Sequence, residues 1–275
     1  MSVLAIALLP ALAAGNPSSE IVNGKPVANG ALPFIVSLQS PSPKAPDAFR
    51  DHFCGGSLID PTHVLTAAHC VWDGSKAIAP TKLRVLVGAT RLRESAHRSG
   101  QLLTVDRIEV HPKYGKNDAY DVAVIRLKNP ATAGQFIALP AAGDPSAERA
   151  GMAATVAGWG STRRDGGSAG DRTSYPRQMR QTSIPIVANG KCATEYRKAG
   201  IRNLNTRTAI CAGGQHRDSC YGDSGGPLFT QINGAPMQVG IVSWGIGCGR
   251  MDYPGIYTRT SNPEISSFIQ KELGQ

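Results

Sequence analysis

The sequence predicts an all-β protein closed by a C-terminal α-helix, on three observations. The 275 residues include 31 Gly and 19 Pro, which interrupt helices and mark turns, so many short strands suit this composition better than a helical bundle. Short runs with β-branched enrichment or period-two alternation recur at Phe34 to Leu38, Leu83 to Val87, Val122 to Leu127, Ala154 to Ala157 and Val239 to Trp244, with turn-forming clusters between them. The only convincing helical pattern comes last. There Asn262 can cap, Pro263 sits in the first turn, and Ile265, Phe268, Ile269 and Leu273 fall on one face before Gly274. This helix is expected to pack on the second half of the chain.

The length suits one large domain or two of ordinary size, either able to bury a sizeable core. The segment Lys128 to Gly151, rich in Ala, Pro and Gly, reads as the crossing between two halves, and no internal repeat is evident. Ser40 to Asp51 and Arg163 to Pro176 read as surface inserts.

Residues 1–14 are apolar and uncharged, and Ala11-Leu12-Ala13 offers the small-x-small pattern of a signal-peptidase site, although no Lys or Arg precedes Lys25. A secreted protein is expected, with 15–20 as a short propeptide. The apolar run is too short to span a bilayer, and no later run reaches the roughly 20 residues needed, so no membrane is expected as a partner. An even count of 6 cysteines suits an oxidising compartment. Zinc held by His52, Cys54, His69 and Cys70 is the competing reading, weakened by the lack of any C-x-x-C pair. Formal charge is +9. Arginines cluster at Arg91, Arg93 and Arg98 and again at Arg163, Arg164, Arg172, Arg177 and Arg180. Without aromatic interleaving this is read as a solvated basic face rather than a specific nucleic-acid site.

The stretch Arg217-Asp218-Ser219-Cys220-Tyr221-Gly222-Asp223-Ser224-Gly225-Gly226-Pro227 sets two carboxylates beside one serine. Gly222-x-Ser224-x-Gly226 matches a nucleophile elbow, but an α/β-hydrolase places its histidine after the serine, and here all 6 histidines precede Ser224. A serine hydroxyl needs a neighbouring base, most aptly histidine near neutral pH. His69, in Val64-Leu65-Thr66-Ala67-Ala68-His69-Cys70, follows an apolar run and small residues that leave room for an imidazole. Asp121 leads directly into the apolar Val122 to Leu127, where a buried carboxylate would require a partner such as a histidine N–H. Asp106 and Asp118 are rivals with less apolar continuations.

Together, TAAHC, YDVAVIRL, GDSGGP and the later Ser243-Trp244-Gly245 make the chain, from Ile21 to about Leu273, resemble trypsin-like members of the chymotrypsin family. The resemblance implies two six-stranded antiparallel β-barrels, about 21–135 and 136–275, with the site between them. It implies a Ser-His-Asp acyl-enzyme mechanism with Ser224, His69 and Asp121, and an oxyanion hole from the backbone N–H groups of Gly222 and Ser224. Asp223 would pair with a new α-amino group at Ile21. Asp218 would form the base of a pocket selecting Arg or Lys, with Ser219, Ser243, Trp244, Gly245, Gly255 and Tyr257 around it. Disulfides would join Cys54 with Cys70, Cys192 with Cys211, and Cys220 with Cys248.

Glu20 stands before Ile21, where many relatives carry a basic residue, so self-activation by a basic-specific enzyme is not expected. The loop after Val87 has Glu94 as its only acid, so no calcium is expected there. The partners implied are proteins or peptides with Arg or Lys at the cleaved bond, with protein protease inhibitors as a further candidate class. No cofactor and no metal are called for, and a monomer suffices. The rival function is a non-catalytic relative that binds partners through the basic surface, which the complete set of three residues argues against.

Overall fold

A computed structural model of the chain describes residues 21, 24–41, 46–95, 98–163, 172–214 and 216–274. The segments expected as signal peptide (1–14) and propeptide (15–20) lie outside the described residues, as do 42–45 and 164–171 of the two inserts.

Strand β1 (Lys25–Pro26) is followed by the six strands of a first closed antiparallel barrel: β2 (Ile35–Gln39), β3 (His52–Leu58), β4 (His63–Thr66), β5 (Arg84–Val87), β6 (Gln101–Val110) and β7 (Ala123–Leu127). They pair in the order β2-β3-β4-β7-β6-β5, and β5 returns to β2 through Ser37 opposite Leu86. A second barrel follows from β8 (Ala153–Gly158), β9 (Arg180–Val187), β10 (Ala209–Ala212), β11 (Pro227–Ile232), β12 (Ala235–Trp244) and β13 (Gly255–Arg259). It closes where β8 meets β9, Ala154 opposite Ile184. β1 lies in the first half of the chain yet pairs with β9 of the second barrel, Lys25 opposite Gln181.

The run from Val122 to Leu127 shows why the two barrels need one another. Ala123, Ile125 and Leu127 point into the first barrel among Val36, Leu58 and Val105. Val122 and Val124 point outward, to Leu65, Ile241 and the C-terminal helix. Val122 to Ile125 is therefore an unbroken apolar run because both faces of the strand are covered there, and the exposed Arg126 marks where the outer face reaches solvent; each fully buried branched side chain contributes about 1.5–3 kcal/mol.

Helix α1 (Ala48–Asp51), in the first insert, is capped by Asp47, whose carboxylate accepts from Phe49 N and Arg50 N at 3.0 Å. Helix α2 (Asn189–Lys198) was not legible in the sequence: its buried residues are Cys192 and Tyr196 alone, and no side chain caps its start. A disulfide from Cys192 to Cys211 of β10 anchors it. The other bridges are Cys54 to Cys70 and Cys220 to Cys248. Because the Cys54 and Cys70 sulfurs are bonded to each other, neither is available to zinc.

Helix α3 (Pro263–Glu272) starts where the sequence places it, with Asn262 Oδ1 accepting from Glu264 N and Ile265 N. The expectation that it packs on the second half is corrected. Its face of Ile265, Phe268 and Ile269 meets Leu65, Tyr120, Val122 and Val124 of the first half, with Ile241 the second barrel's share, and Phe268 sets its ring edge-on to His111. The chain leaves β13 and crosses the seam, because the outward face of the Asp121 segment is the apolar surface left to cover. The two arginine clusters also meet, since Arg91 bridges Gln178 and Leu92 N donates to the Arg177 carbonyl at 2.8 Å. Among the described residues no helix is long and apolar enough to cross a membrane.

Truncating α3 at its buried face should loosen this seam. Ile269→Ala is expected to destabilise the protein by about 2–4 kcal/mol, read as a lower urea midpoint at unchanged denaturant slope.

Candidate active site

His69 sits in a 3-10 turn, Ala68–Cys70, that follows β4 directly. The Cys54–Cys70 bridge ties that turn to β3. Asp121 ends another short turn, Asp118–Tyr120, immediately before β7. β4 and β7 are neighbours, with Thr66 opposite Ala123, so the two turns meet at one end of the barrel. Asp121 Oδ1 accepts from the His69 backbone N at 2.9 Å, and Oδ2 lies 2.8 Å from His69 Nδ1. An ionised carboxylate can only accept, so Nδ1 carries the hydrogen and Nε2 is left as the acceptor. Asp121 is 4% exposed, and two donors from the second barrel complete its surroundings: Ser243 Oγ to Oδ2 at 2.5 Å and Thr258 Oγ1 to the Asp121 carbonyl at 2.8 Å. Burial lowers the His69 pKa, but the hydrogen bond to Asp121 and its charge outweigh it, so the net direction is up from 6.5. The rival acids do not meet His69: Asp106 is exposed and lies 3.9 Å from Arg126, and Asp118 is exposed.

Ser224 follows Gly222, which has φ +96°, and precedes Gly225, at φ +79°. Backbone hydrogen bonds from both barrels help to hold the bend. Gly55 N donates to the Ser224 carbonyl at 2.7 Å, and Gly225 N to the Val242 carbonyl at 2.8 Å. β3 and the serine turn approach so closely that a Cβ at Gly55 would stand 3.1 Å from Gly226 Cα.

Ser224 and His69 line a cleft of about 360 Å³ with Asp218, Ser219, Gly245 and Gly255. Asp218 lies on its floor, 3% exposed. Its Oδ2 accepts from Gly249 N at 3.2 Å and its Oδ1 from Tyr257 Oη at 3.4 Å, while Ser219 Oγ and Tyr257 Oη are 3.1 Å apart. A Cβ at Gly255 would fall 2.7 Å from Asp218 Oδ1, so glycine there keeps the carboxylate reachable. Burial pushes the Asp218 pKa up to about 7 against its hydrogen bonds, with the charge of Asp223 adding to the rise. Trp244, 40% exposed, stands between this cleft and a larger one of about 950 Å³ that runs from His69 between Tyr114 and Leu204.

Asp223 faces away into the protein, 1% exposed, accepting from Gly160 N at 2.8 Å and Cys220 N at 3.0 Å. Burial pushes its pKa up to about 6, those two hydrogen bonds opposing. Ile21 is wholly buried.

The trypsin family profile, described as Trypsin, matches residues 21–269. The chain belongs to the trypsin family. It is also 37% identical over 248 residues to a mouse (Mus musculus) protein named tryptase, a match covering 88% of this chain and 85% of that one. It is therefore a trypsin-like serine endopeptidase, a hydrolase acting on protein chains. Sequence reasoning missed several residues of this family member's site. Thr258, Ser161 and His52 reach Asp121, Tyr221 and Gly222 only through the fold; no local pattern marks the first two, and His52 is marked in the sequence only as a possible zinc ligand. Ser243, expected at the substrate pocket, also has its hydroxyl on Asp121.

Two pH dependences follow. Hydrolysis that uses neutral His69 should fade in acid with an apparent pKa above 6.5, the direction set by Asp121, as seen in a kcat/KM profile. A benzamidine cation bound over Asp218 needs the ionised carboxylate, so its affinity should fall as pH drops below about 7. Calorimetry at pH 6 in buffers of different ionisation heat should show proton release on binding, and none in Asp218→Asn.

Proposed function

We propose that the protein is a secreted endopeptidase that cuts after Arg or Lys, with Ser224 as nucleophile. Ser224 Oγ attacks the substrate carbonyl carbon while His69 Nε2 takes its proton. Asp121 holds the imidazole in the tautomer that leaves Nε2 free and stabilises the imidazolium that forms. The oxyanion is met by the N–H groups of Gly222 and Ser224. As the tetrahedral intermediate collapses, His69 gives its proton to the leaving amine. Water, deprotonated by the same nitrogen, then releases the acid and restores Ser224.

The buried Asp218 carboxylate, on the floor of the cleft that Ser224 and His69 share, carries the specificity reading. A desolvated carboxylate without a cationic partner among the described residues is best satisfied by a long side chain ending in a cation. Asp223 supports the maturation reading in the same way. A free Ile21 ammonium would neutralise its buried charge, offsetting the desolvation of both groups. Because Glu20 would have to enter a pocket that already carries Asp218, another protease is expected to make that cut, after removal of residues 1–14 on secretion. The mature form is read as a monomer open to protein inhibitors at the same cleft.

The test is kcat/KM of the Ile21-started protein on matched peptide amides ending in Arg, Lys, Phe and Glu, beside the uncut precursor. Arg and Lys should be preferred by at least about 100-fold. Ser224→Ala should abolish turnover, Asp218→Ser should erase the preference, and the precursor should stay inactive without an added protease. Equal rates on Phe and Arg would refute the specificity, and a precursor that matures unaided would refute the external activator.

A further inference from the structure

The peptide groups on either side of Gly222 are each held from outside. The preceding one, which includes the Gly222 N–H, is fixed through the Tyr221 carbonyl, which accepts from Ser161 N at 2.8 Å. The following one is fixed through the Gly222 carbonyl, 3.1 Å from His52 Nε2. A relay behind His52 matches that second bond. Gln39 Nε2 donates to Ser37 Oγ at 2.5 Å, and Ser37 Oγ lies 2.6 Å from His52 Nδ1. The Gly222 carbonyl can only accept, so Nε2 carries the ring hydrogen, Nδ1 accepts from the Ser37 hydroxyl, and Ser37 Oγ in turn accepts from Gln39. His52 is 1% exposed. Burial, then the charge of Arg172, push its pKa down to about 3, against the Gly222 hydrogen bond.

Arg172 lies at the end of the second insert. Its Nη2 donates to the carbonyls of Arg50 at 3.1 Å and His52 at 2.8 Å, fixing the backbone from which the His52 ring projects. Its guanidinium also stands 5.1 Å from the centre of the Tyr175 ring. That ring packs on Gly222 closely enough that a Cβ at 222 would fall 2.8 Å from Tyr175 Cε1. The contacts close a circuit from Arg172 to His52, to Gly222, to Tyr175 and back. Glycine is the most conformationally permissive residue, so the orientation of this segment is set largely by what grips it.

We propose that Arg172 is a positioning residue for the oxyanion site, holding the Gly222 segment in its productive orientation through His52 on one side and Tyr175 on the other. The inference rests on the reading of Gly222 and Ser224 as oxyanion donors. It makes Arg172 and Tyr175, between Trp159 and β9, determinants of turnover rather than surface decoration.

The test compares the mature wild type with Arg172→Met, which keeps an unbranched stem over Tyr175 and removes the donors. A donor aimed at the oxyanion acts mainly in the transition state, so kcat should fall about tenfold with KM within about twofold. The affinity of a peptide boronate with a basic side chain, whose tetrahedral adduct presents an oxygen to the same N–H groups, should fall in step with kcat. Benzamidine, seated over Asp218, should bind as before. An unchanged kcat overturns the proposal, and so does a fall in benzamidine affinity parallel to kcat, which would mark general loosening. Should Arg172→Met not accumulate as folded protein, Arg172→Lys carries the same test with a smaller fall of about threefold, since its ammonium can still reach one carbonyl. If the wild type neither turns over the amide nor binds the boronate, the reading of the Ser224 site is what has failed, and the role of Arg172 falls with it.

Discussion

The Asp121 carboxylate is buried where the two barrels meet, and it is satisfied only because both supply donors. His69 gives it two hydrogen bonds from the first barrel, and Ser243 gives one from β12 of the second, while Thr258 of β13 holds its backbone carbonyl. A carboxylate left unpartnered at that depth would cost several kcal/mol. The polar requirement therefore fixes how the barrels sit against each other with more precision than the apolar seam around it, where Phe34, Trp159 and Phe229 on one side and Val122, Val124 and Ile241 on the other fill space without specifying direction. The same constraint orients the imidazole. A change in barrel placement and a change in His69 tautomer are one event here, because both pass through Asp121.

Strand β3 works as the template for the serine side. Its seven residues, His52–Leu58, reach the site from three positions. His52 meets the Gly222 carbonyl, Cys54 is bonded to Cys70 beside His69, and Gly55 donates to the Ser224 carbonyl. The pairing is irregular at Phe53, with Gln39 opposite His52 and Leu38 opposite Cys54, so His52 turns to Ser37 and Trp159 while Cys54 shares the barrel-core face of Leu38; Gly55 reaches across through its backbone because it has no Cβ to keep Gly226 away. One strand thus registers His69, Ser224 and Gly222 against a common frame. That arrangement is the physical reason a glycine-rich segment sits inside a barrel strand, where glycine otherwise weakens the structure.

This strand also marks how far the sequence could be read. The run from Val122 to Leu127 was recognisable because apolar residues occupy both faces, and the end of the chain because capping by Asn262 and a helical stripe agree. β3 was not, since Gly55 and Gly56 hide its alternation, and α2 was not, since a disulfide and one tyrosine rather than an amphipathic face hold it. The residues of the serine, histidine and aspartate motifs were legible as motifs, and their neighbours carried local signals such as the cysteine beside His69. Ser161, Tyr175 and Thr258 had none, and the pattern around His52 pointed to zinc instead. Each acts on a residue far away in sequence, for example 170 positions in the case of His52 and Gly222. The destination of α3 failed for a related reason: the stripe shows that a helix has an apolar face, but which barrel offers a matching surface depends on where the outward face of the Asp121 segment lies.

Asp218 and Asp223 are five positions apart, face different compartments, and are both driven toward the neutral form by burial. Their coupling is direct, because the charge on Asp223 is among the causes that raise Asp218. On the maturation reading, an ammonium beside Asp223 would cancel that repulsion and let Asp218 ionise more readily, so the pocket would gain affinity for a cationic side chain at the same moment that the serine loop settles. On the specificity reading, a cation in the pocket would in turn ease the burden on Asp223. Binding linkage requires the two effects to be equal. On those two readings, filling the pocket and completing the site would favour one another through this charge interaction, across a short loop braced at Cys220 by its bond to Cys248.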